Sequence, residues 1–556
     1  MDKGTLFRNG SVFDGRRFAP RGTSVLVRGG QIVSVGPTHS PHDAEAVDLD
    51  GGTLLPGFID SHAHPVYGGN QLRHCDLNQA ETQAEYLEII ARYADEHPDE
   101  AWITGGGWGM PAFPGGIPTR QALDDVVKDR PVFLQNRDGH GAWVNSKALE
   151  LAGLGRHSLD PADGRIERDA DGDPVGTLQE GAKDLVGRLV PDVTEDDWYR
   201  GLLTAQDYLL SLGITGWQDA IVGRVPGEGD ASAAYLRAAS AGTLLVNVVG
   251  ALWWDRDRGI EQLDELLRRR ERDRAGRFRA SSVKMMLDGI AENHTAAMLD
   301  PYLDHDGCAS ADSGLDFIDP DELPRFVTAL DREGFQVHFH ALGDRAVRNA
   351  LNAIEAAREA AREAARSSKA TASTNSRHHL AHLQVIHPDD IARFAQLNAT
   401  ANIQALWATH EPQMDELTIP FLGKRRAGWQ YPFAALHNAG AAFCAGSDWP
   451  VSSPDPLLAS HVAVNRSLPA SAGGSGRDPF LPEQAIDLAT ALAAYTSGSA
   501  RVNGLEATVG GIKPGLDADF AIVDADLAAI SNAEICQASV RQTWVRGQVV
   551  FQRKEA

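Results

Sequence analysis

Cysteine is scarce in this chain. The four of them, Cys75, Cys308, Cys444 and Cys536, lie far apart in 556 residues, with no Cys-x-x-Cys pair. That excludes a disulfide framework and a cysteine-built zinc site. Basic residues are also in short supply: 52 Lys and Arg stand against 76 Asp and Glu, a net charge of −24 at pH 7. A nucleic-acid binder needs a basic footprint, and an anionic membrane surface attracts one, so neither is an expected partner. There is no run of eighteen apolar residues, and the start, MDKGTLFRNGSVFDG, has no apolar segment behind a charged one. The expectation is a protein without a signal peptide or membrane span, in a reducing cytoplasm.

What is present is the composition of a globular protein, 43% hydrophobic and 23% charged. The length exceeds one small core and calls for a large barrel with an accessory domain, or several domains. Both ends read as short strands. TLFRNGSVFDG predicts a hairpin with Asn9-Gly10 at its tip, and SVLVRGGQIVSVG one turning at Gly29-Gly30. VRQTWVRGQVVFQRK predicts another turning at Gly547-Gln548. Neither end alone has enough strands to bury a face, so residues 1–56 and 500–556 are expected to form one small β-sandwich domain.

Between them, apolar runs alternate with helical segments. The runs are LLPGFIDSHAHP, GITGWQDA, LLVNVVGALW, SVKMMLDG, FQVHFHALGD, HHLAHLQV, ATANIQAL and AAFCAGSDWP. Eight strands with intervening helices predict an α/β fold, a (β/α)8 TIM barrel over 57–499 with a large insertion at about 77–207 after strand one. The alanine-rich AAREAAREAAR (356–366) predicts a solvated outer helix, and SSKATASTNS after it a flexible surface loop. Within the insertion, TGGGWGM (104–110) lacks the GK[ST] of a phosphate loop and reads as a close-approach loop. Asp169, Asp171, Asp173 and Glu180 mimic a calcium loop, but Pro174 stands where its glycine belongs. A hairpin tip is expected there instead.

In such a barrel the chemistry sits at the C-terminal ends of strands. Strand one ends in His62-Ala63-His64, whose side chains point one way beside Asp60 and can share a divalent metal. By itself HxH is weak evidence. Strand four adds Lys284, strand five His340, strand six His382 and strand eight Asp448. His338, His378 and His379 compete for these roles and read as packing or orienting groups. Trp108, His140, Trp253, Glu292 and Trp407 could face the mouth of the site, with plain packing or a satisfied loop histidine as the alternatives.

The ordered set HxH, Lys, His, His, Asp resembles the amidohydrolase superfamily of metal-dependent hydrolases. The phrases LPGFIDSHAHP, KMMLDGIAENHTAAML, HFHALGDRAV, LAHLQVIHP and GSDWPV are similar to its branch containing N-substituted formamide deformylase and exoenzyme-regulator-like proteins. Ala381 departs from the branch, which more often has glutamate there. The resemblance implies that His62, His64 and Asp448 bind one metal and His340 and His382 a second. Lys284 would bridge the two if carboxylated, and otherwise make an ordinary ion pair. It implies one or two Zn2+ ions, or another divalent metal. It also implies water-driven cleavage of the C–N bond in a small N-substituted amide, formamide or N-acyl, with Asp448 as general base and then acid. A deaminase or cyclic-amide hydrolase on the same ligands, and a non-catalytic regulatory barrel, are the other readings. The expected partner is a small-molecule substrate, with a homodimer open.

Overall fold

The computed structural model describes residues 3–37, 43–78, 80–191, 193–223, 229–367, 377–474 and 476–554. The eight runs become eight parallel strands. They are β1 (Phe58–Ala63), β2 (Ile214–Val222), β3 (Asn247–Trp253), β4 (Phe278–Met286), β5 (Gln336–Ala341), β6 (His379–His382), β7 (Thr400–Ile403) and β8 (Ala442–Ala445). Each is bonded in parallel to the next in chain order. Every residue of β1, β6 and β7 is buried, as expected of strands covered on both faces.

The barrel is nearly closed. Across the seam Asp448 N donates to His62 O at 2.7 Å, and Asn402 Nδ2 to Ser61 O at 3.0 Å. Gly446 permits this approach, since a Cβ there would lie 2.5 Å from His62 Cβ. The alanine-rich run lies in the helix Asp344–Ser367; the segment 368–376, expected as a loop, lies outside the described residues. No helix among the described residues is long and apolar enough to cross a membrane.

Between β1 and β2 stands a six-stranded sheet, in the order Gly164–Arg168, Pro174–Glu180, Gly141–Val144, Val132–Asn136, Ile103–Trp108, Cys75–Asp76. TGGGWGM is therefore mostly strand, not loop. Its glycines serve close approach inside the sheet: a Cβ on Gly105 (φ 150°) would sit 2.1 Å from Cys75 O. The calcium-like stretch is the turn of a hairpin. Asp169 Oδ1 accepts the N–H groups of Asp171 and Asp173, and Asp173 pairs with Arg156.

The chain ends supply two further sheets. Gln31–Gly36, Ser24–Arg28, Gly4–Arg8 and Ala44–Asp48 form one; Ser11–Val12, Thr53–Pro56, Phe520–Val523, Val540–Val545 and Gln548–Gln552 form the other. Phe7 from the first packs edge-on against Phe520 and Trp544 of the second, at 5.3 and 5.1 Å. Asn9-Gly10 is not a hairpin tip. The strands before and after it belong to different sheets, and the pair carries the chain from one to the other. The Gly29-Gly30 turn joins its hairpin as read. The last turn is Arg546-Gly547, one residue earlier than read, with both residues at positive φ (47° and 70°), as a two-residue hairpin loop requires.

Candidate active site and metal centre

The ends of β1 and β8 bring three side chains to one point. Asp448 Oδ1 lies 2.9 Å from His62 Nε2 and 3.0 Å from His64 Nε2. Ligands held ~2.0–2.1 Å from a zinc ion sit about 3 Å apart, and imidazole and carboxylate are the donors that such an ion takes. Three partners hold the Gly446–Asp448 turn in place through Asp60. Its carboxylate accepts from Ser447 N (3.1 Å), Ser447 Oγ (2.5 Å) and His62 N (3.0 Å). Asp60 is thus a support beneath the site rather than a member of it; burial pushes its pKa up to about 7.

The other expected ligands arrive at the same place. Lys284 Nζ is 3.4 Å from His62 Nε2, and burial pushes its pKa down to about 8. The His382 ring is 4.7 Å from that of His62 and 4.4 Å from that of His340. Both ring nitrogens of His382 are buried without a hydrogen-bond partner, an expensive state unless something else binds them. His382 Nδ1 is 3.9 Å from Asp448 Oδ2. Burial and neighbouring imidazoles hold His340 and His382 neutral, well below the ordinary histidine pKa. Burial works to raise Asp448, but His62 and His64 outweigh it and keep the carboxylate ionised. His382 and Asp448 both adopt left-handed backbone, φ 77° and 59°, which costs about 1–3 kcal/mol at a non-glycine residue.

His338, one layer down in the barrel, places Nε2 2.8 Å from His62 Nδ1, the orienting contact a ligand imidazole needs. The His379 ring lies tilted against that of His338, 4.0 Å away, and His378 bonds Asp331 away from the site. Trp407 stacks on His382 at 5.2 Å.

A cavity of about 220 Å³ opens above these groups, and the insertion forms part of its wall. His140 and Trp253 line it; Trp108 and Glu292 do not. Trp108 is fully buried in the insertion's own core, its Nε1 donating to Leu134 O at 2.9 Å beside Trp143 and Phe113. Glu292 accepts from Thr418 Oγ1 at 2.7 Å outside the cavity. Two residues that the sequence did not single out as site groups do line it. Glu180 Oε2 is 2.8 Å from His140 Nδ1, and Asn136 follows from the central strand of the insertion sheet. Burial opposes protonation of His140, but the carboxylates of Glu180 and Asp138 prevail and raise its pKa. The nearest sequence signal for Glu180 was the twelfth position of the calcium-loop mimic.

Residues 45–551 match the amidohydrolase family. The chain belongs to the amidohydrolase family. It is a hydrolase acting on carbon–nitrogen bonds other than peptide bonds. Among its relatives, Protein LONG AFTER FAR-RED 3 of Arabidopsis thaliana is 29% identical, over 98% of this chain and 91% of that one. N-substituted formamide deformylase of Arthrobacter pascens is 28% identical over 95% of each. An uncharacterized metal-dependent hydrolase from Pyrococcus horikoshii OT3 superposes with a TM-score of 0.70 at 25% identity, covering 95% of this amidohydrolase and 99% of that chain.

Proposed function

We propose that this amidohydrolase uses a divalent metal, zinc as one or two ions, to hydrolyse a small N-substituted amide of the formamide or N-acyl type. The observation that carries the reading is the convergence of His62, His64 and Asp448 on one point, with the unpartnered nitrogens of His382 alongside. His62, His64 and Asp448 would hold one metal and His340 and His382 a second, with Lys284, once carboxylated, shared between them. The buried Lys284 amine, with its lowered pKa, suits reaction with carbon dioxide, which would release a proton and leave an anionic carbamate. The deformylase of Arthrobacter pascens supports the amide as substrate, and the Pyrococcus horikoshii protein the dependence on metal.

When bound, such a cation lowers the pKa of water from ~15.7 to about 7 and polarises a carbonyl. Asp448 takes the proton that the attacking water loses and returns it to the leaving nitrogen. Water is thereby added across the C–N bond, giving an acid and an amine. Asp60 and Ser447 keep Asp448 on its turn, and His338 keeps the His62 ring in orientation. In this reading residues 1–56 with 500–556 are a β domain, 57–499 the barrel, and the insertion of about 77–207 a wall of the site.

Chelation should abolish hydrolysis of N-substituted amides, and added zinc should restore it. Full activity in metal-free protein would overturn the reading.

A further inference from the structure

The cavity has two unlike walls. One flanks Asp448 and carries Val66, Trp198, Pro450 and Val451, apolar except for Tyr67 and Gln71 of the helix that bears Val66. The other belongs to the insertion and carries Asn136 and His140. The His140 ring lies 5.3 Å from that of His340 on β5, the strand across the barrel from β1. The polar wall therefore faces the apolar one over the metal-binding cluster.

The polar wall is built and not fully used. Asn136 Oδ1 accepts Gly141 N–H at 2.8 Å, and since a backbone nitrogen only donates, this contact sets which way the amide points. Asn136 is 3% exposed, and its Nδ2 makes no hydrogen bond of good geometry, with the Asp138 carboxylate as a looser neighbour. His140 is held by Glu180 through Nδ1, and its own N–H donates to Asp138 Oδ1 at 2.9 Å. That leaves Nε2 for the cavity the ring lines. Glu180 in turn accepts from Thr295 Oγ1 of the loop after β4 at 2.6 Å. Glu180 holds this place at φ 51°, ψ −131°, a costly conformation for a non-glycine residue.

We propose that this wall is an acyl subsite: Asn136 Nδ2 and His140 Nε2 take an oxygen on the acyl part of the substrate beyond the scissile carbonyl, and the apolar wall takes the amine substituent. The orientation rests on the proposed amide hydrolysis, because Asp448 must reach the leaving nitrogen, which puts that nitrogen on the apolar side. The substrate is then an N-acylated apolar amine whose acyl group bears a hydroxyl, keto or carboxylate oxygen, in preference to a bare formamide. Glu180 is a positioning residue for His140.

The test uses the zinc-loaded full chain with N-benzyl and N-methyl amides of glycolic and acetic acids. Wild type should prefer glycolyl over acetyl by about 100-fold, since a site with buried hydrogen-bonding groups rejects the analogue that leaves them unpaired. Asn136→Asp keeps the acceptor for Gly141 and removes the donor, but adds a negative charge near Asp138, so the uncharged Asn136→Ala is measured beside it and must give the same result. Both of these and His140→Ala should bring the glycolyl preference close to one and leave the benzyl-to-methyl ratio alone. Glu180→Gln should lower the same preference in part, and Val451→Asp should change only the benzyl-to-methyl ratio. A glycolyl preference that survives Asn136→Asp and His140→Ala, or a benzyl-to-methyl ratio that moves with them, would overturn the assignment. If wild type hydrolyses none of the four, the amide reading fails, and calorimetric titration with glycolate and benzylamine still decides the subsite. Glycolate binding should weaken in the uncharged Asn136→Ala while benzylamine binding holds; equal glycolate binding in wild type and Asn136→Ala would overturn it.

Discussion

His382 at the end of β6 and Asp448 on the turn after β8 stand on left-handed backbone, with both nitrogens of His382 unpartnered. The insertion strand Ile103–Trp108 ends in an indole whose N–H is bonded to Leu134 O and whose ring is wedged between aromatic neighbours. Both places are buried and both are built from short apolar strands. They differ in what their polar atoms do. In the insertion core those of Trp108 are spent on the fold, and substitution there is a matter of stability. At the barrel's C-terminal end the nitrogens of His382 are left unpaired on strained backbone, a cost that a bound ligand would offset.

Substitutions at the two places should therefore separate activity from stability. The largest effect is expected at Asp448. Asp448→Asn should cut amide hydrolysis by about 10³-fold, as loss of a general acid–base group does, with the melting temperature nearly unchanged. Kinetics and a thermal melt on one preparation check both halves. Gly446→Ala should lose activity and stability together. Its Cβ would collide with His62 across the barrel seam, an overpacking cost of about 1–3 kcal/mol readable by urea denaturation.

Glu411 is a half-buried carboxyl with no part in the proposed chemistry. Burial, with Glu292 and Asp415 nearby against Arg137, pushes its pKa up to about 7. A carboxyl raised in the folded state binds its proton more tightly there than when unfolded, so stability falls as pH rises from about 4.5 to about 7. Glu411→Gln should be the more stable protein at pH 8 by about 2 kcal/mol, with the difference gone near pH 4. Trp108→Phe should be mildest, costing about 1 kcal/mol for the lost hydrogen bond and leaving kcat and KM as they were. A change in KM would put Trp108 back at the mouth of the site.

The barrel was legible because its strands are apolar runs and five of the eight carry or lead into a residue suited to chemistry, and neither signal depends on distant contacts. The meeting of His62, His64 and Asp448 was legible for the same reason. The misreadings have one cause in common: a local pattern with two structural meanings. Asn9-Gly10 accepts positive φ whether it closes a hairpin or passes between sheets. The glycines of TGGGWGM look like a loop until the carbonyl of Cys75 is seen occupying the space of a side chain. Trp108 and Glu292 carry groups suited to a pocket, and only the tertiary fold shows Leu134 O and Thr418 taking them up. Glu180 and Asn136 matter through His140 and through an unfilled donor, which are properties of contacts made across the insertion sheet and have no sequence pattern.

The central claim is that groups from β1 and β8 converge on a cation. Anomalous diffraction at the zinc edge from crystals of zinc-loaded protein tests it most directly. A peak bonded at ~2.0–2.2 Å to His62 Nε2, His64 Nε2 and Asp448 Oδ1 is the predicted result. Zinc bound elsewhere, or no peak beside these three atoms in fully loaded crystals, would contradict the account.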